Sequence, residues 1–103
     1  MPTVAYNTES RTSVEYSWTY DEGNSKFIGW KRTRTETSER QVFTGATAQD
    51  DAEAAVEAAV SDATPLQKSD GVARRCSDCG WWEAVIVTIT VTEWEQFPEN
   101  NNQ

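Results

Sequence analysis

Residues 81–94, Trp81 Trp82 Glu83 Ala84 Val85 Ile86 Val87 Thr88 Ile89 Thr90 Val91 Thr92 Glu93 Trp94, constrain the fold more than any other stretch of this chain. Val85, Val87, Ile89 and Val91 fall on one side of an extended backbone and Thr88, Thr90 and Thr92 on the other, which is the two-residue period of a pleated strand. The longest apolar run is thus committed to one sheet, and the rest of the chain must be organised around it.

A second clean alternation begins at Ser13, with Val14, Tyr16, Trp18 and Tyr20 set against Ser13, Glu15, Ser17 and Thr19. Asp21 Glu22 Gly23 Asn24 Ser25 then forms a turn cluster in which Gly23 and Asn24 accept positive φ at little cost. An extended run follows from Lys26 through Thr37, so the pattern predicts a β-hairpin. Beyond Trp30 this strand alternates Arg32 and Arg34 with Thr33, Thr35 and Thr37, so it should project past the core. Ser38 Glu39 is read as a bend, after which Arg40 to Thr44 forms either a separate short strand or the end of a bent one.

Thr47 opens the one helical pattern. Thr47 is the candidate N-cap, with Asp50 as its reciprocal partner, and Asp50, Asp51 and Glu53 put negative charge at the positive end of the helix dipole. Ala52, Ala55, Val56, Ala59, Val60 and Ala63 share one stripe, and Pro65 ends the run, giving a helix of about 17 residues. Its alanine-rich stripe allows close approach to a sheet. The expected architecture is α+β: a mainly antiparallel sheet of three to four strands with one helix packed on it, in the order ββ(β)αβ. Residues 1–11 are expected to form an N-terminal arm, with a short edge strand near residues 4–6. Residues 12–95 form a single domain, and residues 96–103 a polar tail. The uncovered sheet face is expected to be the threonine-rich one.

Composition narrows the function. At 103 residues the chain is the size of one domain, and its net charge of -8, from 17 acidic and 9 basic residues, is the wrong sign for nonspecific nucleic-acid binding. No apolar run approaches the roughly 18 to 20 residues that a membrane-spanning helix needs, and the start has no signal-peptide pattern. A soluble protein is expected, with neither nucleic acid nor membrane as a partner. The chain holds no histidine, no nucleophile with a base and no glycine-rich phosphate loop, so no enzyme, catalytic residue or cofactor is expected.

Cys76 Ser77 Asp78 Cys79 is the only motif with chemical character. Two thiols at this spacing form a structural turn with or without a disulfide, half of a metal site completed by a second copy, or a redox pair. Histidine is absent and there are no other cysteines, so a complete N/S metal site cannot form within one chain.

Two features point to protein contacts. Of the five tryptophans, Trp18, Trp30 and Trp94 lie on strands, where packing is the first expectation. The adjacent Trp81 and Trp82 must point to opposite faces, making one of them a candidate partner anchor. Lys26, Lys31, Arg32, Arg34 and Arg40 form a basic strand, whereas the helix carries Glu53 and Glu57 among its acids. Either these charges screen one another or sit in solvent, or the basic strand of one copy meets the acidic helix of the next. Trp30, Trp81, Trp82, Arg32, Arg34, Glu53 and Glu57 are therefore the interface candidates.

The strand and hairpin bearing Gly29 Trp30 Lys31 Arg32 Thr33 Arg34, then Val42 Phe43 Thr44 Gly45 Ala46 Thr47 leading into an acidic alanine-rich helix, then a closing Thr-rich strand, resemble small uncharacterised structural proteins of tailed-bacteriophage virions. The resemblance implies a repeated, non-enzymatic subunit of a phage tail, neck or capsid decoration. Such a subunit is made in the host cytoplasm and binds copies of itself and other virion proteins. The alternatives are a small Cys-pair protein with an intersubunit metal or redox role, and an acidic adaptor or inhibitor of a host protein that adds a strand at a sheet edge.

Overall fold

The computed structural model describes residues 6–97. Two long strands, β1 (Tyr6–Asp21) and β2 (Lys26–Phe43), form a hairpin; α1 (Ala48–Ser61), β3 (Gln67–Arg75), β4 (Trp82–Val91) and the short β5 (Glu95–Gln96) follow. The sheet is antiparallel throughout, with strand order β1-β2-β4-β3 and β5 pairing β2 beyond the end of β4. The fold is α+β, as the periodicities indicate. Its element order is ββαββ with a closing β5, not ββ(β)αβ.

The differences have local causes. β2 runs unbroken through Ser38 and Glu39, because both pair on two sides, with Glu9 and Thr8 of β1 and with Val87 and Ile86 of β4. Arg40 to Phe43 is therefore the end of this one strand. β3 was not foreseen because Gln67 Lys68 Ser69 Asp70 Gly71 is polar. It forms at an edge, where only one side needs a partner. Residues 6–11 continue β1 against Glu36 to Gln41 rather than forming an arm. The expected edge strand at residues 4–6 and polar tail at residues 96–103 lie largely outside the described residues, except that Tyr6 belongs to β1, Gln96 to β5, and Phe97 packs on the hairpin.

At the hairpin tip the Asp21 carboxylate accepts hydrogen bonds from the Gly23 N–H at 3.0 Å and the Asn24 side chain at 2.7 Å. These bonds, the Asn24 amide first, hold its carboxyl below the usual aspartate range. The left-handed residue is Ser25 (φ 54), not Gly23 or Asn24. The helix is shorter than expected, since Asp62 already closes it by donating to the Ala58 carbonyl. Thr47 occupies the N-cap position, but its hydroxyl bonds the Asp51 carboxylate at 2.9 Å instead of a backbone N–H, and no reciprocal bond from Asp50 forms.

Helix α1 lies on the sheet face that carries Trp82, Ala84 and Ile86. The core consists of Phe43, Ala48, Ala52, Ala84 and Ile86, with Ala55, Val56, Ala59, Ala73 and Trp82 packed around it. Two small residues set the distance: Ala84 is fully buried, and a Cβ on Gly71 would lie 3.2 Å from both Val56 and Ile86. Thr88 and Thr90 share the helix's face but lie past its reach, where Ser69 and Gln67 of β3 bond their hydroxyls. The opposite, uncovered face carries Val85, Val87, Ile89 and Val91. The expectation that the bare face would be the threonine-rich one is thus reversed: Trp82, Ala84 and Ile86 make the threonine side apolar at the end where the helix docks.

The molecule measures 64 × 21 × 20 Å. The core occupies one end. The tip half of the β1–β2 hairpin extends beyond it as a ribbon with no helix beneath.

Candidate interaction surface

On the ribbon, register decides which side chains share a face. Tyr16 sits opposite Lys31, Trp18 opposite Gly29 and Tyr20 opposite Phe27. Tyr16, Trp18, Tyr20 and Phe27 therefore line the same face as the helix, but past its end. They are 64%, 58%, 52% and 61% exposed, so each residue is more than half open to solvent. Phe97 crosses this row, edge-on to Tyr16 and Trp18 at centroid distances of 5.9 and 5.2 Å. It can lie there because Gly29 offers no side chain: a Cβ at that position would fall inside the Phe97 ring and 2.8 Å from Trp18. Between this aromatic platform and the helix lie hydroxyl pairs, Ser10 with Thr37 at 3.0 Å and Thr12 with Thr35 at 3.3 Å.

The reverse face holds the charges. Arg32 bonds Glu15 at 2.8 Å and stacks its guanidinium 4.4 Å from the Trp94 ring centroid; Arg34 reaches Glu36 at 3.3 Å and Glu15 at 3.8 Å. Trp30 donates its indole N–H to the Thr19 hydroxyl at 2.9 Å, and with Ser17, Thr19 and Trp94 lines a shallow depression of about 280 Å³. Nearer the core, Glu83 is 6% exposed and lies between Arg40, at 2.7 Å, and Arg74. The bond from Arg74, followed by that from Arg40, outweighs burial and holds the Glu83 carboxyl below its ordinary range.

The sequence-derived candidates separate accordingly. Trp30, Arg32 and Arg34 come together on the ribbon, but the arginines are already paired within the sheet. Glu53 and Glu57 are exposed beside a groove between α1 and β3. No ion pair joins α1 to the basic strand among the described residues, so the two charged elements do not screen one another by direct contact. Trp82 packs into the core, and Trp81 is half-buried with its indole nitrogen enclosed and unbonded. Neither tryptophan stands out as a free anchor. Cys76 and Cys79 are joined in a disulfide at the β3–β4 turn, with a Cα separation of 5.2 Å. The turn is closed by Cys76 N–H to the Trp81 carbonyl and Gly80 N–H to the Cys76 carbonyl, and Gly80 takes φ +78. Both sulfurs are engaged with each other, which leaves no thiolate for a metal in this state.

Of the platform aromatics, Trp18 was expected to pack, and it is instead 58% exposed. The signal was that β2 sets Thr33, Lys31 and Gly29 beside Val14, Tyr16 and Trp18, so no apolar layer continues along that face of the hairpin. No family model, curated protein or solved structure matches the chain.

Proposed function

We propose that this chain is a non-enzymatic assembly subunit that acts by associating with copies of itself through its sheet. The observation that carries this reading is the contiguous aromatic platform of Tyr16, Trp18, Tyr20 and Phe27, on a ribbon that extends beyond the core. Contiguous apolar surface of this kind is characteristic of interaction sites, and aromatic residues dominate their energetics. The uncovered Val72, Val85, Val87 and Ile89 strip adds a second apolar area around a depression of about 470 Å³. The virion of a tailed phage is the setting that the sequence resemblance supplies, with other virion proteins as further partners.

Light scattering of the wild-type chain and of a variant carrying Trp18→Thr and Phe27→Thr tests the reading. Both residues are more than half exposed, so the variant should keep its fold. The wild type is expected to exceed the mass of one chain, 11.6 kDa, and the variant to return toward it. Equal masses for the two would overturn the assignment of the platform.

A further inference from the structure

The two edges of this sheet are built differently. β3 is a short edge of 9 residues carrying Lys68, Asp70, Arg74 and Arg75, and short length and charge, lysine above all, are devices by which proteins discourage edge-to-edge pairing. β1 runs 16 residues with no proline, glycine or lysine, and its pairing with β2 continues without a bulge from Tyr6 to Asp21. Among the described residues its outer edge has no partner strand.

The groups on that edge can be identified. Phe97 N–H donates to the Gly29 carbonyl at 3.2 Å and Thr92 N–H to the Thr33 carbonyl at 2.9 Å. Odd-numbered β2 residues thus turn their backbone toward β5, and even-numbered ones toward β1. Since a strand's bonding groups alternate sides, Thr8, Ser10, Thr12, Val14, Tyr16, Trp18 and Tyr20 present theirs to the open edge.

We propose that this edge pairs with the same edge of a second copy, antiparallel and two-fold symmetric, with Ser13 opposite Ser13 on the axis. The inference rests on the self-association reading above and names its interface. Charge selects the register. With Ser13 on the axis, Arg11 of each copy lies directly opposite Glu15 of the other. Arg11 has no ion pair among the described residues, and Glu15 is fixed in place by Arg32 and Arg34. Sliding the pairing one way sets Glu9 against Glu15, two like charges; sliding it the other way sets Arg11 against Ser17 and forfeits the contact. In the selected register the hydrogen-bonded pairs match Tyr16 with Ser10 and Trp18 with Thr8 on the helix's face, so the Tyr16 and Trp18 rings lie against the hydroxyl row of the other copy. The result is one continuous sheet through an isologous interface.

Three variants of the full chain test this. In the proposed register Ser13 residues form a non-hydrogen-bonded pair about 4.5 Å apart, within disulfide reach, so Ser13→Cys should give an oxidised dimer on a non-reducing gel, whereas Ser17→Cys should not. Val14→Pro removes an N–H that faces only the open edge. It should abolish the dimer by light scattering while leaving the circular dichroism unchanged. Arg11→Glu, which replaces two attractions by two repulsions, should weaken association about tenfold. If the wild type associates but Ser13→Cys stays uncrosslinked and Arg11→Glu associates as strongly as the wild type, the edge pairing is wrong and the assembly reading stands. If the wild type is a monomer at every concentration, both fall.

Discussion

Replacing Gly29 by alanine should destabilise the chain, although alanine is ordinarily the better strand residue, because Gly interrupts a strand with no side chain to pack. The structure sets the sign. The new Cβ would occupy the place of the Phe97 ring and press on Trp18 at 2.8 Å, so Phe97 must leave. Its departure removes two edge-to-face contacts, each contributing about 0.5 to 1.5 kcal/mol, and strains the Phe97 N–H bond to the Gly29 carbonyl that holds β5 in register. The expected loss is about 1 to 3 kcal/mol. Urea denaturation followed by tryptophan fluorescence measures it, and a double-mutant cycle with Phe97→Ala isolates the cause. In the Phe97→Ala background, Gly29→Ala should be neutral or slightly stabilising. If Gly29→Ala instead costs the same with and without Phe97, the packing of Phe97 on the ribbon is not what requires glycine there.

Other consequences follow from the same geometry. Because the Glu83 carboxyl titrates below its ordinary range when folded, its contribution is fully present above the unfolded carboxylate pKa and is lost as pH falls through the lower folded value. Glu83→Gln should cost about 1 to 3 kcal/mol at neutral pH, the scale of charge-assisted hydrogen bonds. It should also flatten the acid limb of the stability profile measured by thermal melts from pH 7 downward. Gly71→Ala would set a Cβ 2.9 Å from the Val85 carbonyl and against Val56. It should lift α1 from the sheet at a cost of about 1 to 3 kcal/mol, read as a lower urea midpoint. Replacing both Cys76 and Cys79 by serine opens only a very short loop, so the loss should be no more than about 2 kcal/mol. The chain should still melt cooperatively by calorimetry. Mass spectrometry of purified phage particles whose genome encodes this chain should detect it in the particle, and its absence would remove the virion setting.

The long periodic elements were legible because each pattern repeats over many residues: Val14 to Tyr20, Val85 to Val91, and the alanine stripe from Ala52 to Ala59 all fall where their periods place them. β3 was illegible for a physical reason. Its inward residues Gln67, Ser69, Gly71 and Ala73 are small or polar because the helix lies close above Gly71 and hydroxyl bonds replace apolar packing farther along. Which face the helix covers could not be read from β4 alone, since Trp82, Ala84 and Ile86 are as apolar as Val85, Val87 and Ile89; the glycine on the neighbouring strand decides it. The Arg40–Glu83–Arg74 cluster depends on a register across three strands that sequence spacing does not encode. Likewise, Trp18 looked like core until the length of the hairpin showed that, among the described residues, only Phe97 lies over the platform.

Sedimentation velocity of the wild-type chain over a wide concentration series most directly tests whether this surface exists for association. The account predicts a sedimentation coefficient that rises with concentration toward that of a dimer or larger assembly. A single species of one chain's mass at every concentration would contradict it.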